Sequence, residues 1–258
     1  MIVHFDKYHG TGNDFIMIDN RDEVYSLITD EQIKFLCNRH FGIGADGLIL
    51  LQERNGFDFW MNYFNADGKP SSMCGNGSRC TVAFAFAQGI KRNSYYFVTS
   101  DGPHEAMVLA DGNIKIKMAD VISIEKYGDD KVLDTGSPHF VKSVKNVDHT
   151  DVKEAGRAIR YNDKYANQGI NVNFVEKIEE NKIKVRTYER GVEDETLSCG
   201  TGVTACSLVS AYQEGENRIS IETPGGNLNV RFNKEENSYQ NIWLEGPVAK
   251  VFSGTITI

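Results

Sequence analysis

The chain has 258 residues, with 28 Lys and Arg against 36 Asp and Glu, a formal charge of −8. Hydrophobic residues make up 40% and charged residues 25%, an ordinary balance for a folded protein that excludes a disordered chain. An acidic chain whose longest basic run is Lys91-Arg92 lacks the cationic stripe of a nucleic-acid binder, and its longest uncharged apolar run, Gly47-Leu48-Ile49-Leu50-Leu51, falls far short of the ~18–20 residues of a membrane helix.

The first seven residues, Met1-Ile2-Val3-His4-Phe5-Asp6-Lys7, carry no basic start, apolar centre or cleavage site, so no export signal is expected and the reading is cytoplasmic. Five cysteines, an odd count, fit free thiols in a reducing compartment. Cys74 and Cys80, or Cys199 and Cys206, are spaced wrongly for a zinc site and have no histidine close by in sequence. No metal is expected.

In chain order, alternating and apolar patterns predict strands over 2–8, 15–19, 47–52, 58–64, 95–100, 105–109 and 113–118. A second set is predicted over 140–144, 171–176, 183–188, 218–222, 227–232 and 241–244. Helices are predicted over 30–38, capped by Thr29 or Asp30, and over 150–160. Two further helical segments lead from the glycine-rich motifs to Gly89 and Gly215.

Those motifs repeat. Cys74-Gly75-Asn76-Gly77 and Cys199-Gly200-Thr201-Gly202 share C-G-x-G at an offset of 125, where Tyr63 also meets Tyr188, Gly44 meets Gly169, and Phe15 meets Phe140. The reading is an internal duplication: an α+β fold of two pseudo-symmetric domains, 1–118 and 119–251, with a last strand at 252–258 that returns to the first domain by fold precedent.

Gly42-Ile43-Gly44-Ala45-Asp46-Gly47 spells G-x-G-x-x-G, but a helical segment precedes it and a strand follows. A dinucleotide fingerprint needs the opposite order, so no nicotinamide cofactor is expected. The sequon Asn76-Gly77-Ser78 is irrelevant without export.

Each C-G-x-G places a thiol at the start of a helix whose first N–H groups lack intrahelical partners. Glycine allows a close approach, and the positive helix end attracts an anion. The helix end alone contributes roughly 0.3–2 kcal/mol, or about 0.2–1.5 units of thiol pKa, so it biases ionisation without deciding it. A pair of such thiols is equipped for two-base proton exchange: one thiolate takes an α-proton while the other thiol delivers one to the opposite face. The carboxylate, held by N–H groups, takes up the developing charge. Cys37, Cys80 and Cys206, at apolar helix spacing, read as structural.

These residues resemble the diaminopimelate epimerase family. His9-Gly10-Thr11-Gly12-Asn13-Asp14-Phe15 resembles its HGxGNDF, Phe64-Asn65-Ala66-Asp67-Gly68 its FNADG, Met73–Cys80 its CGNGxRC, and Tyr188-Glu189-Arg190-Gly191 with Ser198–Gly202 its YERG…CGTG. Pro224-Gly225-Gly226 follows in the family's order.

The resemblance implies two domains, each a strand barrel around a central helix, with the site in the cleft between them. It also implies cofactor-free interconversion of LL- and meso-diaminopimelate, for lysine and cell-wall synthesis. Cys74 and Cys199 would be the catalytic pair. Gly75, Asn76, Gly200 and Thr201 would hold the reacting carboxylate, with Asn13 near the reacting centre. Asn65, Asn171 and Arg190 would fix the distal carboxylate, and Glu189 the distal ammonium. His139 would orient the site.

Three departures stand out. Ser137 replaces the Asn of GNPH in Gly136-Ser137-Pro138-His139, leaving its distal-carboxylate bond in question. The loop 191–196 is one residue longer than the common form, and Gly47 stands where some members carry Gln. Proline and hydroxyproline racemases share the implied fold but carry His in place of Asn76, and phenazine-type isomerases lack both cysteines. A noncatalytic amino-acid-binding protein is the alternative of another class. The acidic surface permits a homodimer.

Overall fold

A computed structural model describes all residues, 1–258. The chain divides into two compact units, residues 1–116 with 246–258, and residues 117–245.

In the first unit the strands are β1 (Ile2–Gly10), β2 (Asn13–Asp19), β3 (Gly47–Gln52), β4 (Trp60–Asn65), β5 (Ser94–Thr99), β6 (Gly102–Val108) and β7 (Ile114–Lys117), with helices α1 (Asp30–Cys37) and α2 (Gly75–Ala87). Pairing runs β1–β2 antiparallel, β2–β3 parallel, β3–β4 antiparallel, β4–β5 parallel, then β5–β6 and β6–β7 antiparallel. The helices supply the crossovers that the two parallel pairs require: α1 joins β2 to β3, and α2 joins β4 to β5.

Alternation sorts the strand residues into two cores. Phe15, Met17, Ile49, Leu51, Met61, Tyr63, Phe97, Ala106 and Ile116 pack on one face with Cys80, Val82, Phe84 and Ala85 of α2. Ile16, Ile18, Leu48 and Leu50 pack on the other with Ile33, Leu36 and Cys37 of α1. Burial on both faces explains why β2 and β3 read as continuous apolar runs.

The second unit contains β8 (Glu125–Tyr127), β9 (Asp130–Asp134), β10 (Pro138–Ser143), α3 (Val152–Arg160), β11 (Asn171–Glu179), β12 (Lys182–Glu189), β13 (Asp194–Thr196), α4 (Gly200–Val209), β14 (Gly215–Thr223), β15 (Gly226–Glu235) and β16 (Ser238–Gly246). Its pairing repeats the first unit's order: β9–β10 antiparallel, β10–β11 parallel, β11–β12 antiparallel, β12–β14 parallel, then β14–β15 and β15–β16 antiparallel. Here α3 covers the outer face, over Phe140, Val172, Phe174 and Tyr188. A Cβ on Gly156 would lie 2.4 Å from Tyr188 Cβ, so glycine lets α3 settle on β12. The last strand, β17 (Ala249–Thr257), pairs antiparallel with β1.

The register corrects the expected correspondence between halves. Met17 pairs with Ile49 and Ile49 with Tyr63; the matching ladder is Val141, Asn173 and Thr187, each 124 residues further on. The strands therefore correspond at 124, and only the cysteine helices at 125. Phe15 and Tyr63 face α2, whereas Phe140 and Tyr188 face α3. A one-residue slip exchanges faces, so those two identities at 125 are not structural equivalents. The additional residue lies between β12 and α4, where β13 forms.

Two element expectations also change. α4 ends at Val209 and does not run on to Gly215, because buried Asn217 bonds Tyr212 N and the carbonyls of Gln213 and Gly215, folding that stretch into a turn. The short β8, β9 and β13 have too few buried apolar positions to announce themselves in sequence.

Candidate active site

Two of the four helices are capped and two are not. Thr29 and Gln32 form a capping box on α1, whose first turn carries Asp30 and Glu31; Asp151 caps α3, with Glu154 in its first turn. α2 and α4 begin instead at Cys74 and Cys199, in extended backbone, with no side-chain cap and no acidic residue in the first turn. Neither start therefore carries a local side chain that offsets the positive end of its helix.

In the first unit, Asn13, Cys74 and Asn76 come together. Cys74 Sγ lies 3.6 Å from Asn13 Oδ1, which also accepts from Asn76 Nδ2 at 3.3 Å. The β1–β2 turn that presents Asn13 is Thr11-Gly12, with φ of 49° and 85°. A β-branched residue in the left-handed region costs roughly 1–2 kcal/mol. The compensation is local: buried Thr11 Oγ1 lies 3.4 Å from Asn76 Oδ1 and accepts from Arg79 Nη2 at 3.4 Å.

Arg79, missed at the sequence level as a site residue, is fully buried and donates to Asn76 Oδ1 at 2.8 Å and to Gly75 O at 3.3 Å. Burial pushes its pKa down, opposed by the neighbouring thiols of Cys80 and Cys74. Asn65 closes β4 at an exposed position opposite Gly47.

In the second unit, Ser137, Asn171 and Arg190 form one group. Asn171 Nδ2 donates to Ser137 Oγ at 2.9 Å, Asn171 Oδ1 accepts from Arg190 N at 2.9 Å, and Arg190 Nη2 donates to Ser137 Oγ at 3.4 Å. Glu189 accepts from Thr196 Oγ1 at 2.8 Å. Cys199 Sγ lies 3.5 Å from Thr201 Oγ1, and Thr135 Oγ1 donates to Thr201 O at 2.9 Å.

His139 is fully buried. Asn173 Nδ2 donates to Phe140 O at 3.0 Å, which fixes the amide, so His139 Nδ1, 3.1 Å away, accepts and the ring proton sits on Nε2. Thr187 Oγ1 completes the set, donating to Asn173 Oδ1 at 2.9 Å. Burial, then the charge of Arg190, press the His139 pKa down to about 3 despite the Asn173 bond. It is a neutral ring.

The two units differ here. By the strand register, His139, Asn173 and Thr187 stand where the first unit has Phe15, Ile49 and Tyr63. A Cβ on Gly77 would meet Ile49, Met61 and Phe15, whereas a Cβ on Gly202 would meet Asn173 Oδ1. A groove of about 700 Å³ lined by Asp148, Lys184, Arg186 and Glu222 holds none of the expected site residues.

The repeated strand order defines a class, the duplicated α+β proteins, and in this chain a cysteine opens both α2 and α4. Among solved structures, a phenazine biosynthesis protein of the PhzF family from Bacillus anthracis has a TM-score of 0.76 at 16% identity, covering 100% of both chains. A hydroxyproline epimerase from Agrobacterium vitis has a TM-score of 0.71 at 14% identity, covering 99% of this chain and 91% of the other. At such identities the likeness is one of fold.

The chain belongs to the diaminopimelate epimerase family, whose family model, "Diaminopimelate epimerase", matches residues 5–124 and 131–251. The diaminopimelate epimerase of Flavobacterium psychrophilum is 47% identical over 252 residues, 97% of this chain and 98% of that protein. The family is one of isomerases acting on amino acids.

Proposed function

We propose that the protein interconverts LL- and meso-diaminopimelate by exchanging one α-proton between two thiols. The observation that carries the reading is the pair of uncapped helices opening on Cys74 and Cys199 in a chain of this family.

In the proposed cycle one cysteine, as thiolate, removes the α-proton and becomes a thiol. The electron pair left on carbon is delocalised into the carboxylate, which the first-turn N–H groups at Gly75-Asn76 and Gly200-Thr201 hold. The other cysteine, as thiol, returns a proton to the opposite face and becomes the thiolate. The centre is inverted and one proton is gained for one lost. Because the thiols have exchanged states, each direction starts from the opposite protonation form. The scheme draws on no cofactor.

The remaining roles belong to the same proposal. Asn13 contacts the substrate near the reacting carbon. Asn65, Asn171, Ser137 and Arg190 bind the distal carboxylate, and Glu189 the distal ammonium. The Ser137–Asn171–Arg190 group supports this assignment, since a guanidinium and an amide donor already converge on one hydroxyl. His139 orients its surroundings as a neutral ring, not as an acid–base group. A cytoplasmic location and a homodimer are part of the reading; the free cysteines suit a reducing compartment, and light scattering reads the assembly directly.

The test is incubation with LL-diaminopimelate in deuterium oxide without added cofactor. Deuterium at one α-carbon of the meso product is the expected result. Retention of α-hydrogen with substrate bound marks a noncatalytic binding protein. Exchange with L-proline but not diaminopimelate marks a proline or hydroxyproline racemase, which Asn76 already disfavours.

A further inference from the structure

The G-x-G-x-x-G segment, between α1 and the start of β3, forms a tight return. Residues 42–45 fold back on the end of α1, with the N–H groups of Gly42, Ile43, Gly44 and Ala45 bonded to the carbonyls of Asn38, Leu36, Leu36 and Cys37. A Cβ on Gly42 would lie 2.0 Å from Phe35 O, and Gly44 has φ of +80°. This tight return delivers Asp46 to the start of β2.

There its carboxylate is held from three sides. Asp46 Oδ2 accepts from Asn13 Nδ2 at 2.6 Å and from Asp14 N at 3.3 Å, and Asp46 Oδ1 accepts from Arg39 Nη2 at 2.7 Å.

A carboxylate only accepts, so it settles which end of the Asn13 amide faces it. Nδ2 turns to Asp46, and Oδ1 is left towards Cys74 Sγ at 3.6 Å and Asn76 Nδ2 at 3.3 Å. An oxygen acceptor beside sulfur is matched by S–H and mismatched by a thiolate. Cys199 faces a different neighbour, the hydroxyl of Thr201, which rotates to donate or accept.

We infer that Asp46 is a positioning residue: acting through Asn13, it holds the proton on Cys74 in the resting protein, so that the two thiols start with unequal claims to it. The inference rests on Cys74 being one of the exchanging thiols.

Other charges bear on this end of α2. Arg79 on α2 favours the thiolate. Lys7 on β1, Asp14 on β2 and Arg39 after α1 form an ion cluster beside Asp46. Asp101, after β5, takes the Met73 N–H at 2.9 Å, and Cys80 lies behind on α2.

The test follows the rate of carbamidomethylation of Cys74 against pH, read by peptide mass spectrometry, in the whole protein. Asp46→Ala removes the shorter of the two bonds that orient the Asn13 amide, leaving only that from Asn76 Nδ2 at 3.3 Å, so Nδ2 can turn towards sulfur, and the midpoint is expected to fall by about one pH unit. In an Asn13→Ala background the same substitution is expected to add no shift. An equal shift in both backgrounds assigns the effect to the charge of Asp46 alone and overturns the route through Asn13. An unchanged midpoint, with circular dichroism intact, also overturns it. If Asp46→Ala does not fold, Asp46→Val, which fills the space but accepts no hydrogen bond, is read by the same criteria. Because alkylation needs no turnover, failure here is distinguishable from failure of the deuterium experiment.

Discussion

Asn173 occupies the space that a side chain at Gly202 would need: its Oδ1 lies 2.4 Å from where the Cβ of residue 202 would stand, and that Cβ would also sit 3.3 Å from Cys199 Sγ. Gly202→Ala is therefore expected to destabilise the protein by about 1–3 kcal/mol, the usual cost of overpacking. Gly77→Ala, at the matching place in the first unit, meets the flexible tips of Ile49 and Met61 at 3.2 Å. There the better helix propensity of alanine, up to ~1 kcal/mol, offsets the crowding. Urea unfolding of the two variants should separate them, and equal losses would refute the asymmetry.

His139 makes the fold acid-sensitive. Its ring has a folded pKa of about 3 against an ordinary 6.5, because burial and Arg190 disfavour the cation. The unfolded chain binds the proton more readily, so this contribution is complete above pH 6.5. It declines by up to about 1.4 kcal/mol per unit as pH falls through the window towards 3. Asp14 also has a lowered pKa, about 2: burial would raise it, but bonds from Arg39 and Lys7 prevail. Its contribution fades only below about 3.8. Urea midpoints from pH 7 to 4.5 should fall in the wild type and stay flatter in His139→Gln.

Native alkylation should separate Cys74 from three deeply buried thiols. Burial pushes the Cys37 thiol up to about 12 and those of Cys80 and Cys206 higher still. At pH 8 these three are expected to stay unmodified by iodoacetamide until denaturant is added, while Cys74, partly exposed at its helix start, reacts. Early labelling of Cys80 or Cys206 would contradict the packing around α2 and α4.

Cys74→Ala and Cys199→Ala are each expected to lower epimerisation by about 10²–10⁴-fold or more, the range of a positioned acid or base, with melting temperature little changed. Near wild-type turnover by either variant would end the two-thiol scheme.

Ser137 accepts from both Asn171 and Arg190. Its role in distal-carboxylate binding predicts that Ser137→Ala raises KM for diaminopimelate by about tenfold, the value of one bond to a charged group, with kcat little changed. A fall in kcat at unchanged KM would place Ser137 in the chemistry instead.

The repeated C-G-x-G motif made the duplication and the two helix starts legible, because a glycine-flanked cysteine ahead of an apolar helical run has few other readings. The apolar runs at 15–19 and 47–52 were legible as strands, and their burial on both faces is what the structure adds. What misled was the single offset of 125. Matching letters such as Tyr63 and Tyr188 hid a one-residue shift between strands and helices, which only the ladder reveals.

Asn173 was illegible for a related reason. Alternation in Asn171-Val172-Asn173-Phe174-Val175 separates two faces but does not say which helix covers each. Asp46 was read only as one letter of a decoy, because its partner Asn13 lies 33 residues earlier and nothing local marks the pairing.

β1 and β17 pair from Ile2 with Thr257 to His9 with Ala249, and Gly254 packs beneath the ring of Phe5. During translation every residue of the second unit leaves the ribosome before β17 does. The opening strand must therefore wait, its outer edge unzipped, while the later half condenses. The first unit is begun first and finished last, a closure that links the order of synthesis to the slow step of assembly expected for contacts of such long sequence separation.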